Sequence, residues 1–134
     1  MHLGDIAEDS TLRGSFNTRG SDGAPITLAG TPALAVYKDA GTTESTAGVT
    51  LTVDFDSRTG LHIFTIDTSS DAFYAAGSDY QVVITSGTVD GTSVVGVRVA
   101  SFSIANRAAI SVGKSYTHTN DSTTDAVAVT ITET

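Results

Sequence analysis

The feature that most constrains this chain is a pair of alternating aliphatic runs within residues 80–104, YQVVITSGTVDGTSVVGVRVASFSI. Val82 and Ile84 mark a period of two in the first run, and Val95, Val97 and Val99 repeat it in the second. The Gly and Asp residues between the runs are typical of a turn. The pattern predicts a β-hairpin, and β-branched residues on both faces of each arm favour a central place in packed sheets.

A second hairpin is predicted over residues 49–67, VTLTVDFDSRTGLHIFTID. Its first arm alternates apolar residues with threonine and aspartate, so one face is expected to be lined by threonine. Residues 56–60 turn the chain, and the second arm returns it. The apolar positions that define the two arms are Val49, Leu51, Val53, Phe55, Leu61, Ile63, Phe64 and Ile66.

Other stretches add short strands before and after these hairpins. Residues 11–18 predict a first strand in which Leu12, Gly14 and Phe16 share a face, and residues 33–38 predict another. Residues 71–76 predict one helical turn, which would place Phe73 or Tyr74 over the end of the core.

The last alternating run is AVAVTITET, in which Val127, Val129 and Ile131 share one face. Two interpretations of this terminal strand stay open at this point. It is either the last core strand of its own domain or a strand that docks on a neighbouring subunit, which is a recurrent use of such segments.

These elements together predict an all-β fold, an immunoglobulin-like antiparallel β-sandwich of about seven to nine short strands. Residues 1–10 are expected to form an N-terminal arm that orders only on contact, and residues 11–105 the sandwich. Residues 106–134 are expected to form a linker and a C-terminal strand extension, with a short strand at 109–112. Tyr80 starts a late strand after a tight turn, so it is either a tyrosine corner or an ordinary core-edge aromatic.

Composition narrows the function classes. A chain of 134 residues predicts one domain, and the absence of cysteine excludes disulfides and thiolate chemistry. No apolar run is long enough to cross a bilayer, and MHLGDIAEDS lacks the features of a signal peptide, so we expect no membrane partner. A net charge of −8 disfavours nucleic acid as a partner.

Motifs that carry chemistry are few. His2, His62 and His118 are too far apart in sequence to suggest a ligand set, and no phosphate-binding or nucleophile motif is present. DFDSRTG begins like a calcium loop, but Arg58 and Thr65 occupy positions where ligands should stand, so a hairpin turn is favoured. Asp67, Asp71 and Asp79 are interpreted as turn and cap residues. We therefore expect no enzymatic activity, no cofactor and no metal.

One family resemblance runs over residues 3–107. In order, the chain shows a Gly-Asp pair, an aromatic strand residue, D-G-x-P-I-x-L, a short aliphatic strand, T-G and A-G-x-x-Y. This order resembles a module common at the N-terminus of tail-fibre and tail-associated proteins of tailed bacteriophages, and it is similar in pattern to the N-terminal domain of baseplate upper proteins. The matching positions are Gly4, Asp5, Phe16, 22–28, 33–37, Thr59, Gly60 and 76–80.

The resemblance implies a virion structural protein of the tail, baseplate or fibre attachment, assembled in the bacterial host cytoplasm. Its partners would be other virion proteins and copies of itself. Tyr80 and Phe16 would build the fold, and Val127, Val129 and Ile131 would serve assembly. Capsid decoration is the alternative, since small sandwich proteins of this size also serve there. A glycan-binding adhesin is a different class, for which Tyr37, Tyr74 and Tyr116 are the candidate aromatics.

Overall fold

The computed structural model describes residues 1–105, 110–120 and 123–133, with side chains described for residues 1–105. The fold is all-β, which confirms the predicted class. The strands are β1 (His2–Ile6), β2 (Thr11–Asn17), β3 (Ala29–Lys38), β4 (Glu44–Ser45), β5 (Val49–Thr52), β6 (Leu61–Asp67), β7 (Ser78–Val89), β8 (Thr92–Ser93), β9 (Arg98–Ile104), β10 (Ile110–Asn120) and β11 (Thr123–Glu133), and a short 3₁₀ turn spans Phe55–Ser57.

Two sheets pack face to face as a sandwich. The larger has the strand order β1-β9-β7-β3-β4, with β8 paired to the end of β7, and the smaller has the order β2-β6-β5. The pairs are antiparallel except for β1, which runs parallel to β9. The predicted hairpin is confirmed as β7 and β9, which pair antiparallel. β7 is central in the larger sheet, because it lies between β9 and β3.

The core forms where alternate residues of both sheets point inward. The smaller sheet contributes Leu12, Phe64 and Ile66 to the core, and the larger sheet contributes more residues, which pack against them. Each of these side chains is at least nine-tenths buried, so the apolar alternation found in the sequence is what joins the two layers. The larger sheet contributes Leu34, Val36, Tyr80, Val82, Ile84, Val99, Ala100, Phe102 and Ile104.

The hairpin predicted over residues 49–67 is confirmed as β5 and β6, with Val49 opposite Ile66 and Thr52 opposite Ile63. Its first arm is shorter than predicted, because β5 ends at Thr52 and leaves Val53 and Phe55 in the turn. The strand predicted over 11–18 is confirmed as β2, whose Gly14 lies opposite Phe64. The strand predicted over 33–38 starts earlier, at Ala29, and its pairing with β7 shifts register between Ala29 and Leu34. A shifted register breaks the period of two, so the pattern showed only the regular part.

Two residues of the predicted second arm lie outside it. Val95 and Val97 precede β9, and their side chains are 58% and 48% exposed. The chain returns from β7 through β8 and a tight turn in which the Val97 amide donates to the Val94 carbonyl. The valine alternation therefore continues past the end of the strand, into a loop on the surface.

The N-terminal segment differs from the predicted arm. Residues 2–6 form β1 at the edge of the larger sheet, with His2 opposite Ser101 and Ile6 opposite Ile104. Gly4 adopts a positive φ of 92°, and the register shifts between His2 and Asp5. This irregularity removes the alternation that would have revealed a strand.

The helical turn predicted over 71–76 is wrong in form. Those residues make non-helical turns, with the Tyr74 amide donating to the Asp71 carbonyl. The aromatic residues nevertheless lie where the prediction placed them, because Tyr74 is buried in the core and Phe73 packs against it.

The C-terminal region contains more strand than predicted. β10 covers 11 residues in place of the short strand expected at 109–112, whose first residue lies outside the described ranges. β10 and β11 pair antiparallel over their full lengths, with Tyr116 opposite Val127, Lys114 opposite Val129 and Val112 opposite Ile131. Among the strands that the structure describes, these two form a sheet of their own. β10 alternates larger residues with Ser, Gly and Thr, but Lys114 and His118 interrupt the apolar series, which is why a linker was predicted.

Candidate functional site

Tyr80 combines a buried ring with a fully used hydroxyl. Its side chain has no exposed surface, and the ring stacks on Phe102 at a centroid distance of 5.0 Å. The hydroxyl donates toward the carbonyls of Phe73 (3.2 Å) and Ala75 (3.1 Å) and accepts from the Ala75 amide at 2.7 Å. The sequence left open whether Tyr80 is a tyrosine corner or an ordinary core-edge aromatic. The hydroxyl bonds back to backbone upstream of its strand, which is the contact that a tyrosine corner requires. Tyr80 thus fixes the 73–75 loop over the end of the core.

Phe16 lies at the end of β2 and is half-buried. Its ring is 5.1 Å from the His62 ring and 6.3 Å from the Phe64 ring, and it packs against the core that contains Tyr80. The assembly residues named from the sequence thus divide into two groups. Tyr80 and Phe16 belong to the sandwich core, and Val127, Val129 and Ile131 lie in β11.

His62 is the one buried imidazole of the described residues, and it sits inside a closed hydrogen-bond network. The Asp54 backbone N–H donates to Nδ1 at 3.2 Å, and Nε2 lies 2.7 Å from the Thr18 hydroxyl. Because a backbone N–H can only donate, Nδ1 accepts and Nε2 carries the proton. The Thr18 hydroxyl in turn donates to the Ile26 carbonyl. The network therefore requires a neutral His62.

The sequence predicted an exposed or hydrogen-bonded imidazole at His62, and the structure shows a hydrogen-bonded one that is fully buried. A signal for the burial was present in the sequence. His62, Phe64 and Ile66 alternate on the inner face of β6, whereas the prediction grouped Phe64 and Ile66 with Leu61 and Ile63, which are only partly buried. A histidine in phase with two apolar residues points toward the core.

The Asp54 carboxylate closes the turn before β6. It accepts from the Gly60 amide at 2.7 Å and from the Thr27 hydroxyl at 2.5 Å, and both bonds hold the pKa of Asp54 below its usual value. Its Oδ1 lies 4.0 Å from His62 Nδ1. Burial lowers the pKa of His62 and the Asp54 charge opposes that shift, so burial is the larger effect. The bonds of the Asp54 carboxylate to Gly60 and Thr27 therefore stabilise the turn that leads into β6.

The calcium interpretation of this turn gains no support. Asp54 is engaged with Gly60 and Thr27, and the exposed Asp56 lies 4.0 Å from Arg58. In the part of the chain whose side chains are described, no three His, Asp or Glu residues come together as a metal site would require.

The second acidic group has the turn-forming role predicted for it at two positions. Asp67 Oδ1 accepts from the amide and the hydroxyl of Ser69, which lowers the pKa of Asp67, and Asp71 Oδ1 accepts from the Phe73 amide at 2.7 Å. Both are side-chain bonds to residues two positions ahead, the geometry of an Asx turn.

Of the aromatic residues considered for glycan binding, Tyr74 and Tyr37 form no exposed platform. Tyr74 is buried, its hydroxyl donates to the Ala47 carbonyl at 2.8 Å, and burial raises the pKa of Tyr74 to about 12. Tyr37 is half-buried and donates to Glu44. The side chain of Tyr116 lies outside the described residues.

A cleft of about 340 Å³ lies between the end of β2 and the start of β9. Phe16, Ile84, Val94 and Val99 form its apolar wall. Arg19, Val97 and Arg98 line the cleft as well, and all three are exposed. An apolar floor with cationic groups at its mouth can take up apolar side chains that carry negative charge beside them.

No family model, curated protein or solved structure matches this chain. The described residues also contain no helix that is both long and apolar enough to cross a membrane. Two features of the described residues bear on function: the cleft, and the β10–β11 ribbon, whose strands pair with no other described strand.

Proposed function

We propose that this protein is a non-enzymatic structural component of a bacteriophage virion, acting by subunit assembly in the tail, the baseplate or the attachment of a fibre. The family resemblance of residues 3–107 supports the setting. The observation that carries the assembly role is the β10–β11 ribbon, two 11-residue strands that pair with each other and with no other described strand.

A two-stranded ribbon is marginally stable by itself in water. Each of its outer edges presents backbone N–H and C=O groups to a potential partner strand, and the sequence of β11 alternates aliphatic with small residues. Packing on a neighbouring subunit would stabilise the ribbon and would also give the backbone groups of its edges a partner. Symmetry then repeats the contact and converts a weak interaction into a stable particle.

We also propose that the sandwich is immunoglobulin-like. Immunoglobulin domains place strands B, E and D in one sheet opposite C, F and G in the other. The orders β2-β6-β5 and β9-β7-β3-β4 follow the same succession along the chain. The Tyr80 hydroxyl, bonded to the backbone upstream of its strand, supports the same assignment.

Purified phage particles test the proposed function. We expect an antibody raised against the chain to label intact particles at the tail or baseplate, and we expect matching β-sandwich density there in reconstructions. Density repeated over the capsid lattice would favour decoration instead. Absence of the protein from purified particles would contradict any virion role, and binding on a glycan array would favour the adhesin.

A further inference from the structure

The cleft coincides with a gap in the rim of the sandwich. β1 covers β9 only from Ser101 onward, because His2 is the first residue of β1 and lies opposite Ser101. The preceding residues of β9, Arg98–Ala100, have β7 on one side and no described strand on the other. Across the gap, β2 is the edge strand of the smaller sheet. Two incomplete strand edges therefore flank the cleft.

The surface at this gap is unusually apolar for an exposed loop. Val95 and Val97 are among the few large apolar side chains of the described residues that are substantially exposed, and Val97 lines the cleft. Phe16, Ile84 and Val99 continue this surface inward. A volume of about 340 Å³ lies at the low end of the range for small-molecule pockets, roughly 300–1,000 Å³, and offers room for a few aliphatic side chains.

The charge of the residues that line the cleft indicates which kind of segment could bind there. Arg19 and Arg98 line the cleft in a chain whose net charge is −8. The sequence of β11 within this chain, TTDAVAVTITE, contains Asp125 and Glu133, no basic residue, and aliphatic residues at 127, 129 and 131. A strand of that composition complements an apolar cleft edged by arginine.

We infer that β11 of a second copy of this chain docks at the cleft between β2 and β9. The inference rests on the proposed function, since it names the subunit contact through which the protein would assemble. Aliphatic side chains of the incoming strand fill the cleft, and its acidic residues approach Arg19 and Arg98. The contact joins two different surfaces of the molecule, so it is heterologous in kind.

Sedimentation equilibrium of the full chain over a range of concentrations tests the inference. Val97→Asp places a charge at the mouth of the cleft, and Val95→Asp is its matched control, because Val95 is also exposed but does not line the cleft. We expect wild type and Val95→Asp to self-associate alike, and Val97→Asp to have a dissociation constant weakened at least about tenfold. Arg98→Glu should weaken association as well, and added salt should reduce the wild-type affinity.

Variants of the strand complete the design. Val129→Asp should abolish self-association, with Thr130→Asp as the control from the alternate position of the same strand. A mixture of Val97→Asp and Val129→Asp should associate more tightly than either variant does alone, because the first retains an intact strand and the second an intact cleft. Circular dichroism and thermal melting of each variant establish that it is folded.

Three results would overturn the inference. A wild-type chain that stays monomeric at the highest concentration would exclude a second copy as occupant. A chain whose β11 folds back on its own cleft would also be monomeric and would equally overturn the inference. Unchanged association of Val97→Asp would place the contact elsewhere, and restoration failing in the mixture would indicate ribbon-to-ribbon pairing. Labelling of particles remains a separate test, so a monomeric chain found in virions would leave the proposed function standing while removing this contact.

Discussion

A single buried hydroxyl connects the 73–75 loop to the core of the sandwich. Tyr80 makes contact with backbone groups of Phe73 and Ala75, and its ring stacks on Phe102. The sequence placed a tyrosine after a tight turn at the start of a strand, which was enough to suggest a corner. It could not decide whether the hydroxyl reached back, because that depends on the path of the loop.

Replacing Tyr80 by Phe isolates the contribution of this hydroxyl. We expect the free energy of unfolding to fall by about 1–3 kcal/mol, since buried backbone groups of the loop lose their partner while the ring remains. Urea denaturation measures the change. Tyr37→Phe is the control, because that hydroxyl bonds to Glu44 at the surface, and its effect should be within about 0.5 kcal/mol. Equal effects of both substitutions would contradict the role assigned to Tyr80.

His62 makes stability depend on pH in a predictable direction. Burial lowers its pKa in the folded state, so the unfolded chain takes up a proton at a higher pH than the folded chain does. Stability is therefore fully present above the unfolded pKa of 6.5 and is lost as pH falls from there toward the folded pKa. The Asp54 carboxylate, whose folded pKa is lowered, adds a separate loss below about pH 4.

The His62→Gln variant tests this assignment. We expect wild type to lose stability between about pH 7 and pH 5, and the variant to lose less over the same interval, because glutamine does not titrate. The variant should also be less stable at pH 7, since the Asp54 amide loses its acceptor. Chemical denaturation across the pH series provides the measurement. Parallel pH profiles for the two proteins would show that another group is responsible.

At the scale of elements, the sequence predicted regular antiparallel pairs and missed irregular ones. β2, β5 and β6 were found because strict alternation faces a single core, as the pairing of Leu12 with Ile66 shows. β1 was missed because Gly4 and a register shift interrupt its pattern. The cleft was missed too, because it depends on where β1 stops along β9, and no residue pattern encodes that end point.

The contact between β2 and β6 depends on a glycine. A Cβ added to Gly14 would lie 2.8 Å from Cε1 of the buried Phe64 ring, closer than carbon atoms pack. We expect Gly14→Ala to lower the free energy of unfolding by about 1–3 kcal/mol, because the ring has no free space to move into. Ser15→Ala, at an exposed position of the same strand, is the control for thermal melting. A melting temperature equal to that of the control would show that the ring yields at little cost.

At the scale of the whole molecule, the described chain divides into a sandwich and a ribbon that share no strand pairing. Side chains of both sheets of the sandwich form one buried cluster. β10 and β11 pair with no other described strand. The proposed assembly role is consistent with this separation, because a docking element outside the two sheets of the sandwich could change partners without unfolding the core.

Removing residues 110–134 tests the separation. We expect the truncated chain to melt cooperatively within a few degrees of wild type at low protein concentration, because neither sheet of the sandwich uses β10 or β11. At high concentration only wild type should gain stability, since self-association favours the folded state by mass action. Differential scanning calorimetry at several concentrations measures both effects. Loss of a cooperative transition after truncation would mean that the ribbon belongs to the sandwich core, and the docking role would pass to another surface.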